Sequence, residues 1–162
     1  MRDLDRRQAI ATGAAGVAFG VLSPAHADQL EEKVMLTPIN PQGAQIPGIS
    51  QGMAVEGGKL VFLSGHVPLR ADGSVAGSDV ATQLRQVLEN MQATLKAAGG
   101  DFSNVARITL YVRDYDVAEL AVIREVRDAF INQDKPPASA LIGVADLFHP
   151  DVRVEADAVA VI

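Results

Sequence analysis

Ser139 stands in the stretch KPPASALIGV, residues 135–144, directly after a Pro-Pro pair that cannot continue a helix and directly before an apolar run. A hydroxyl at the entry to a strand is placed to meet a ligand. To act as a nucleophile it needs a base within hydrogen-bond reach. The histidines beyond the N-terminal stretch are His66 and His149, and no Ser-His-Asp order or nucleophile-elbow motif accompanies them. A polar pocket wall or strand-entry role is therefore the stronger reading of Ser139. Asp157 raises a second question, because it interrupts the apolar run of VRVEADAVAVI, residues 152–162. A carboxylate in such a strand is either desolvated and poised to exchange protons, or paired with an arginine or with backbone amides in a structural role. His66 follows Ser64-Gly65 at the end of another apolar run, where it faces a pocket mouth or simply packs. His149, in LFHPD, reads as an exposed turn. Two histidines so far apart, with no H-x-x-x-H spacing and no cysteine in the chain, do not make a metal site. No phosphate loop or dinucleotide fingerprint is present.

The elements that must hold these residues are legible from periodicity. Lys33–Thr37 reads as a short strand, followed by the Pro- and Gly-rich loop PINPQGAQIPGISQG. GMAVE and KLVFLSG flank Gly57-Gly58, a hairpin signal. Ala71-Asp72-Gly73-Ser74 reads as a turn. Val80, Leu84, Val87, Leu88, Met91, Leu95 and Ala98 fall on one stripe at helical period, with Ser78 as the N-cap and Gly99-Gly100 as the stop. VARITLYVRD alternates, with Ile108, Leu110 and Val112 on one side and Arg107, Thr109, Tyr111 and Arg113 on the other. Asp116 with Glu119 resembles a capping box opening a second helix through Val117, Leu120, Ile123, Val126, Ala129 and Phe130. Strands near 139–145 and 152–162 complete the order βββαβαββ. The expected fold is α+β, a six-stranded sheet with two helices on one face.

Residues 1–27, MRDLDRRQAIATGAAGVAFGVLSPAHA, are of a different kind. A charged start holding Arg6-Arg7 leads into an Ala/Gly-rich apolar run and closes on Ala25-His26-Ala27, an A-x-A pattern. This is the layout of a bacterial export signal, and paired arginines before a weakly apolar core point to the twin-arginine route. The run is shorter than the roughly 20 residues of a membrane span. The expectation is a signal peptide at 1–27 and one domain at 28–162, periplasmic or exported, with no membrane attachment after removal. Removal takes three arginines and two aspartates and moves the net charge from −6 to −7. So acidic a chain, with 4% aromatics and no Trp, lacks both the cationic track and the stacking platforms of a nucleic-acid binder.

Two helices cover one sheet face, and the other face of such a sheet normally alternates polar residues. Leu60–Leu63, Ala140–Ile142 and Ala158–Ile162 have no polar side at all. With no third helix in the sequence, another copy of the chain is the natural cover. A homo-oligomer is expected, with small-molecule sites at the seams between subunits.

GGKLVFLSGHVPL, GGDFSNVARITLYVRD, and PASALIGVADL followed by VRVEADAVAV together resemble the Rid family, also called YjgF, and the likeness covers most of residues 28–162. The resemblance implies a chorismate-mutase-like α+β fold and a homotrimer with three small-molecule sites between subunits. It also implies an enamine/imine deaminase, a hydrolase converting 2-aminoacrylate-type compounds to 2-oxo acids and ammonia without metal or cofactor. In those deaminases the signature reads Pro-Ala-Arg, and the arginine forks onto the substrate carboxylate, which a serine does not mimic. Ser139 stands at that position here. A family tyrosine corresponds to Ile49, a family asparagine to Arg124, and the acidic residue that activates water to Asp157. Ser64 and Gly65 match, and Leu141 sits where the family's backbone contributes to the pocket. Arg124 either supplies a replacement guanidinium or makes a surface pair. Two function classes follow: a hydrolase of small imines or enamines with Asp157 orienting water, or a non-catalytic ligand-binding or protective homologue. Some relatives carry the name endoribonuclease, a reading the acidic charge opposes.

Overall fold

The computed structural model describes residues 33–43 and 46–162. The export-signal reading of residues 1–27 lies outside the described residues. Six strands and two helices follow in the expected order: β1 (Met35–Ile39), β2 (Gly52–Glu56), β3 (Leu60–His66), α1 (Val80–Ala98), β4 (Val105–Arg113), α2 (Leu120–Asp128), β5 (Ala138–Val144) and β6 (Val154–Val161).

The apolar stripe of α1 is the reason it forms, and Leu84, Val87, Leu88, Met91 and Leu95 are fully buried along it. Its N-cap is Asp79 rather than Ser78. Asp79 directly precedes the first apolar position, so its Oδ1 accepts the free N–H of Thr82 at 2.8 Å. These amide hydrogen bonds hold the Asp79 carboxyl below its ordinary range. At the other end Gly99, with φ 96°, returns its N–H to Leu95 and Lys96 carbonyls, a conformation open to glycine. The Asp116–Glu119 capping box is present, but it caps a single 3-10 turn, Val117–Glu119, from which α2 continues. Ala129 and Phe130 lie past the end of α2, and Phe130 instead packs edge-on against Phe102 with ring centroids 5.6 Å apart.

The six strands do not make one sheet. β1 and β2 pair antiparallel with each other, and the other four form a mixed sheet in the order β3-β6-β4-β5. Only β4 and β5 run parallel, joined through α2. The single bridge from Ser50 to Ala138 links the start of β2 to β5. Gly57-Gly58 is therefore a turn between sheets and not a hairpin. β3 takes β6 as its partner: Lys59 and Ile162 exchange backbone hydrogen bonds at 2.6 and 3.0 Å. Gly58, at φ 74°, is pressed so close that a Cβ there would stand 2.8 Å from Val161 Cγ1.

One face of the four-stranded sheet carries Leu63, Ile108, Leu110, Val112, Val154, Ala156, Ala158 and Ala160, all buried in the core with α1 and α2. The alanines of β6 let α1 approach the sheet closely. The opposite face is open within one chain. Leu60 is 55% exposed, Phe62 75% and Ile142 41%. These are the strands whose sequence shows no polar side.

Candidate functional site

The antiparallel register of β4 and β6 sets Thr109 opposite Asp157 and Tyr111 opposite Glu155, on the open face. Tyr111 reaches diagonally and donates its phenol proton to Asp157 Oδ2 at 2.8 Å. That hydrogen bond, then burial, then the charge of Asp157 raise the Tyr111 phenol above its ordinary value of 10.0. The phenol therefore stays a donor at neutral pH. Asp157 is half-buried, and its Oδ1 has no partner among the described residues. Of the two readings open for this carboxylate, the pairing is with a tyrosine hydroxyl rather than with an arginine or backbone amides.

The end of β3 borders this pair. Between Leu63 and His66 the ladder with β6 slips, so Ser64 and Gly65 lie outside regular pairing, beside the Asp157–Glu155 segment. Gly65 has a specific reason to be glycine. The Glu155 carboxylate occupies the space a Cβ would need, with Cδ only 2.9 Å from it. His66 faces the helices, not a pocket mouth. Its Nδ1–H donates to the Ser64 carbonyl at 2.8 Å, and Nε2 meets Thr94 Oγ1 of α1 at 2.8 Å. The ring thus ties the slipped strand end to the helix beneath it.

Ser139 lies on the other side of the sheet. It pairs in register with Ile108, and Leu141 pairs with Leu110, so both share the helix-packed face of the edge strand β5. Ser139 is half-buried, and neither histidine among the described residues is available to it. His66 is engaged as described, and His149 Nδ1 accepts the Asp151 N–H at 3.1 Å. A nucleophilic role for Ser139 has no base to support it. The Ile49 loop reaches the same edge. Ser50, 1% exposed, donates its hydroxyl to the Pro136 carbonyl at 2.6 Å and its N–H to that of Pro137 at 3.1 Å. Arg124, on α2, is half-buried and makes no hydrogen bond or ion pair within the described residues. Its neighbour Arg127 is the paired one, donating Nε and Nη2 to Asp128 Oδ1 at 2.9 and 2.7 Å beneath Gly48.

Within one chain, then, most of the sequence-derived residues fall into two groups, with Arg124 apart on α2. Ser64, Gly65 and Asp157 gather on the open face; Ser139 and Leu141 lie on the opposite face of the β5 edge, which the Ile49 loop reaches through Ser50. Tyr111, Glu155 and Ser50 were not singled out from the sequence. Alternation along Glu155-x-Asp157 was signal enough to put both carboxylates on one face, but the Tyr111 contact needs the β4–β6 register. Among the described residues no three histidine or acidic side chains converge to hold a metal ion.

The family model described as Endoribonuclease L-PSP matches residues 45–162. Protein DfrA of Myxococcus xanthus is 39% identical over 113 residues, covering 69% of this chain and 83% of that protein. The 2-iminobutanoate/2-iminopropanoate deaminase of Salmonella typhimurium is 32% identical over 109 residues, 66% of this chain and 83% of that enzyme. Among solved structures, the Rid-family protein YyfB of Yersinia pestis superposes with a TM-score of 0.70 at 29% identity, covering 78% of this chain and 98% of that one.

Proposed function

The chain belongs to the Endoribonuclease L-PSP family, that of the YjgF/Rid proteins, and from that premise we propose that it hydrolyses small imines or enamines at a site completed between copies of the chain. The observation that carries this reading is the Tyr111–Asp157 hydrogen bond on the open sheet face. It fixes one carboxylate oxygen and leaves the other free among the described residues to accept a proton.

In this reading, water adds to the imine carbon while Asp157 Oδ1 takes its proton and passes it to the nitrogen, giving a carbinolamine. Asp157 then takes the carbinolamine hydroxyl proton and delivers it to the same nitrogen as the C–N bond breaks and the C=O forms, and a carbonyl compound and ammonia leave. Ser64 and the backbone at Gly65 line the space over Asp157. The β5 edge of a second copy, with Ser139 and Leu141, closes it. Exposed Leu60, Phe62 and Ile142 support the contact between copies, since apolar side chains on a sheet face gain from being covered. A homotrimer is the assembly we propose. The wall at Ser139 carries no guanidinium, so substrates are held by shape and hydrogen bonds and not by an arginine fork.

The test generates imines in situ with an amino-acid or amine oxidase and follows their decay with the full-length chain. Acceleration over buffer is expected, falling by about 10²-fold or more in Asp157→Asn. If carboxylate-bearing and carboxylate-free imines alike decay at the buffer rate, the hydrolase reading is overturned in favour of a non-catalytic ligand-binding role.

A further inference from the structure

A second concavity lies away from both groups just described. It has a volume of about 540 Å³ and opens where the end of β4 meets the β3–α1 loop and the β5–β6 loop. Its walls include Arg113, Arg153, His149, Ser78 and Asp151. The two arginines are not equivalent. Arg153 is neutralised by Glu119, with Nη1 to Oε1 at 3.0 Å and Nη2 to Oε2 at 3.3 Å, and it also donates to the Arg113 and Asp114 carbonyls. Arg113 has no such partner. Its Nη1 donates to the carbonyls of His149 and Pro150. The nearest carboxylate, of Asp114, is 3.5 Å from Nε and 76% exposed, a contact that water screens. The Arg113 side chain is itself only 16% exposed, and its Nη2 has no acceptor among the described residues.

Two further donors stand in the same cavity. His149 Nδ1 accepts the Asp151 N–H, which leaves the ring proton on Nε2, and Nε2 has no partner among the described residues. The Ser78 hydroxyl is likewise unpaired among the described residues. The backbone beside Arg113 is also unusual. Asp114 is the one non-glycine residue with positive φ, 51°, among the described residues, and Arg153 holds its carbonyl at 3.3 Å. Such conformations persist where surrounding structure enforces them, and they cluster at binding sites. One partly buried guanidinium, met only by an exposed, solvent-screened carboxylate, with two spare donors beside it suits a ligand of one negative charge and two acceptor oxygens. The Asp151 carboxylate, 77% exposed, points its charge largely into water and sets a limit of one such charge on the ligand.

We propose that this cavity binds a small carboxylate, with Arg113 Nη2, His149 Nε2 and Ser78 Oγ as its donors. It is separate from the Asp157 face and independent of the hydrolase reading. The test titrates the full-length, ¹⁵N-labelled chain with acetate at constant ionic strength, using chloride as the reference, and with inorganic phosphate in a parallel arm. Saturable shifts are expected at the Arg113 Nε–H, the His149 ring and the Ser78 amide. Arg113→Gln is expected to weaken them by about tenfold or more. Should that variant not fold, His149→Phe leaves the backbone carbonyls that Arg113 uses in place, and a drop of several-fold is expected there. Shifts that do not saturate, that survive both substitutions, or that appear instead around Asp157 overturn the site. Tighter binding of phosphate than of acetate overturns the carboxylate assignment.

Discussion

Tyr111 and Asp157 illustrate how little of a site one residue defines alone. The carboxylate was visible in the sequence as a charge within an apolar strand. Its partner was not, because Tyr111 lies 46 residues away and meets it only through the β4–β6 register. The sign of the tyrosine's shift has a consequence. A phenol raised above 10.0 in the folded chain adds stability that is fully present below its unfolded value and lost as pH rises through the folded one. The contact therefore holds throughout the neutral range. Ser139 is the complementary case, a position whose chemistry is defined by what it lacks. Ser139→Arg is expected to lower KM for a carboxylate-bearing imine by about 10- to 100-fold, from the 1.5–3 kcal/mol of a charge-assisted hydrogen bond. Steady-state kinetics on paired substrates with and without a carboxylate measure it. An equal change for both substrates rejects the anchoring role.

At the scale of elements, each end of α1 was readable within a residue, and each depends on one side chain or its absence. Asp79→Ala is expected to cost about 1 kcal/mol and lower Tm by a few degrees, followed by circular dichroism. The direction of the Asp79 shift adds a check. Because the folded carboxyl lies below 3.8, its contribution is present above that pH and disappears as pH falls through the folded value. The gap between wild type and Asp79→Ala should therefore narrow in acid and nowhere else. Strand pairing was harder to read. Gly57-Gly58 between two β-like runs is a sound local hairpin signal, yet β2 pairs with β1 and β3 with β6. A turn defines how the chain reverses but not which edge the next strand meets. That choice is made by β6, whose Val154 and alanines fit beneath α1 while β3 and β4 pair with its two edges.

For the whole molecule, the open sheet face is the deciding feature. Phe62, 75% exposed at the centre of an apolar patch, is a small cost in an assembly and a large one in a lone chain. Phe62→Glu is expected to leave helix content unchanged and convert the proposed trimer to single chains by analytical ultracentrifugation, with loss of imine hydrolysis. A wild-type chain that sediments as a monomer removes the basis of the shared site. Export is tested separately. Replacing Arg6 and Arg7 with lysines is expected to hold the full-length precursor in the cytoplasm, read by fractionation of the producing cells. Periodicity alone determined the element order, the buried stripe of α1, the helix-facing residues of β4 and the fact that several strands are apolar on both faces. Those features repeat at short range, so each is written in neighbouring residues. The split into two sheets, the partner of β3, the tyrosine on Asp157 and the placing of Ser139 on the face opposite it were decided by tertiary structure. Each depends on register between segments far apart in the chain, and a one-residue slip in register would turn every side chain to the other face.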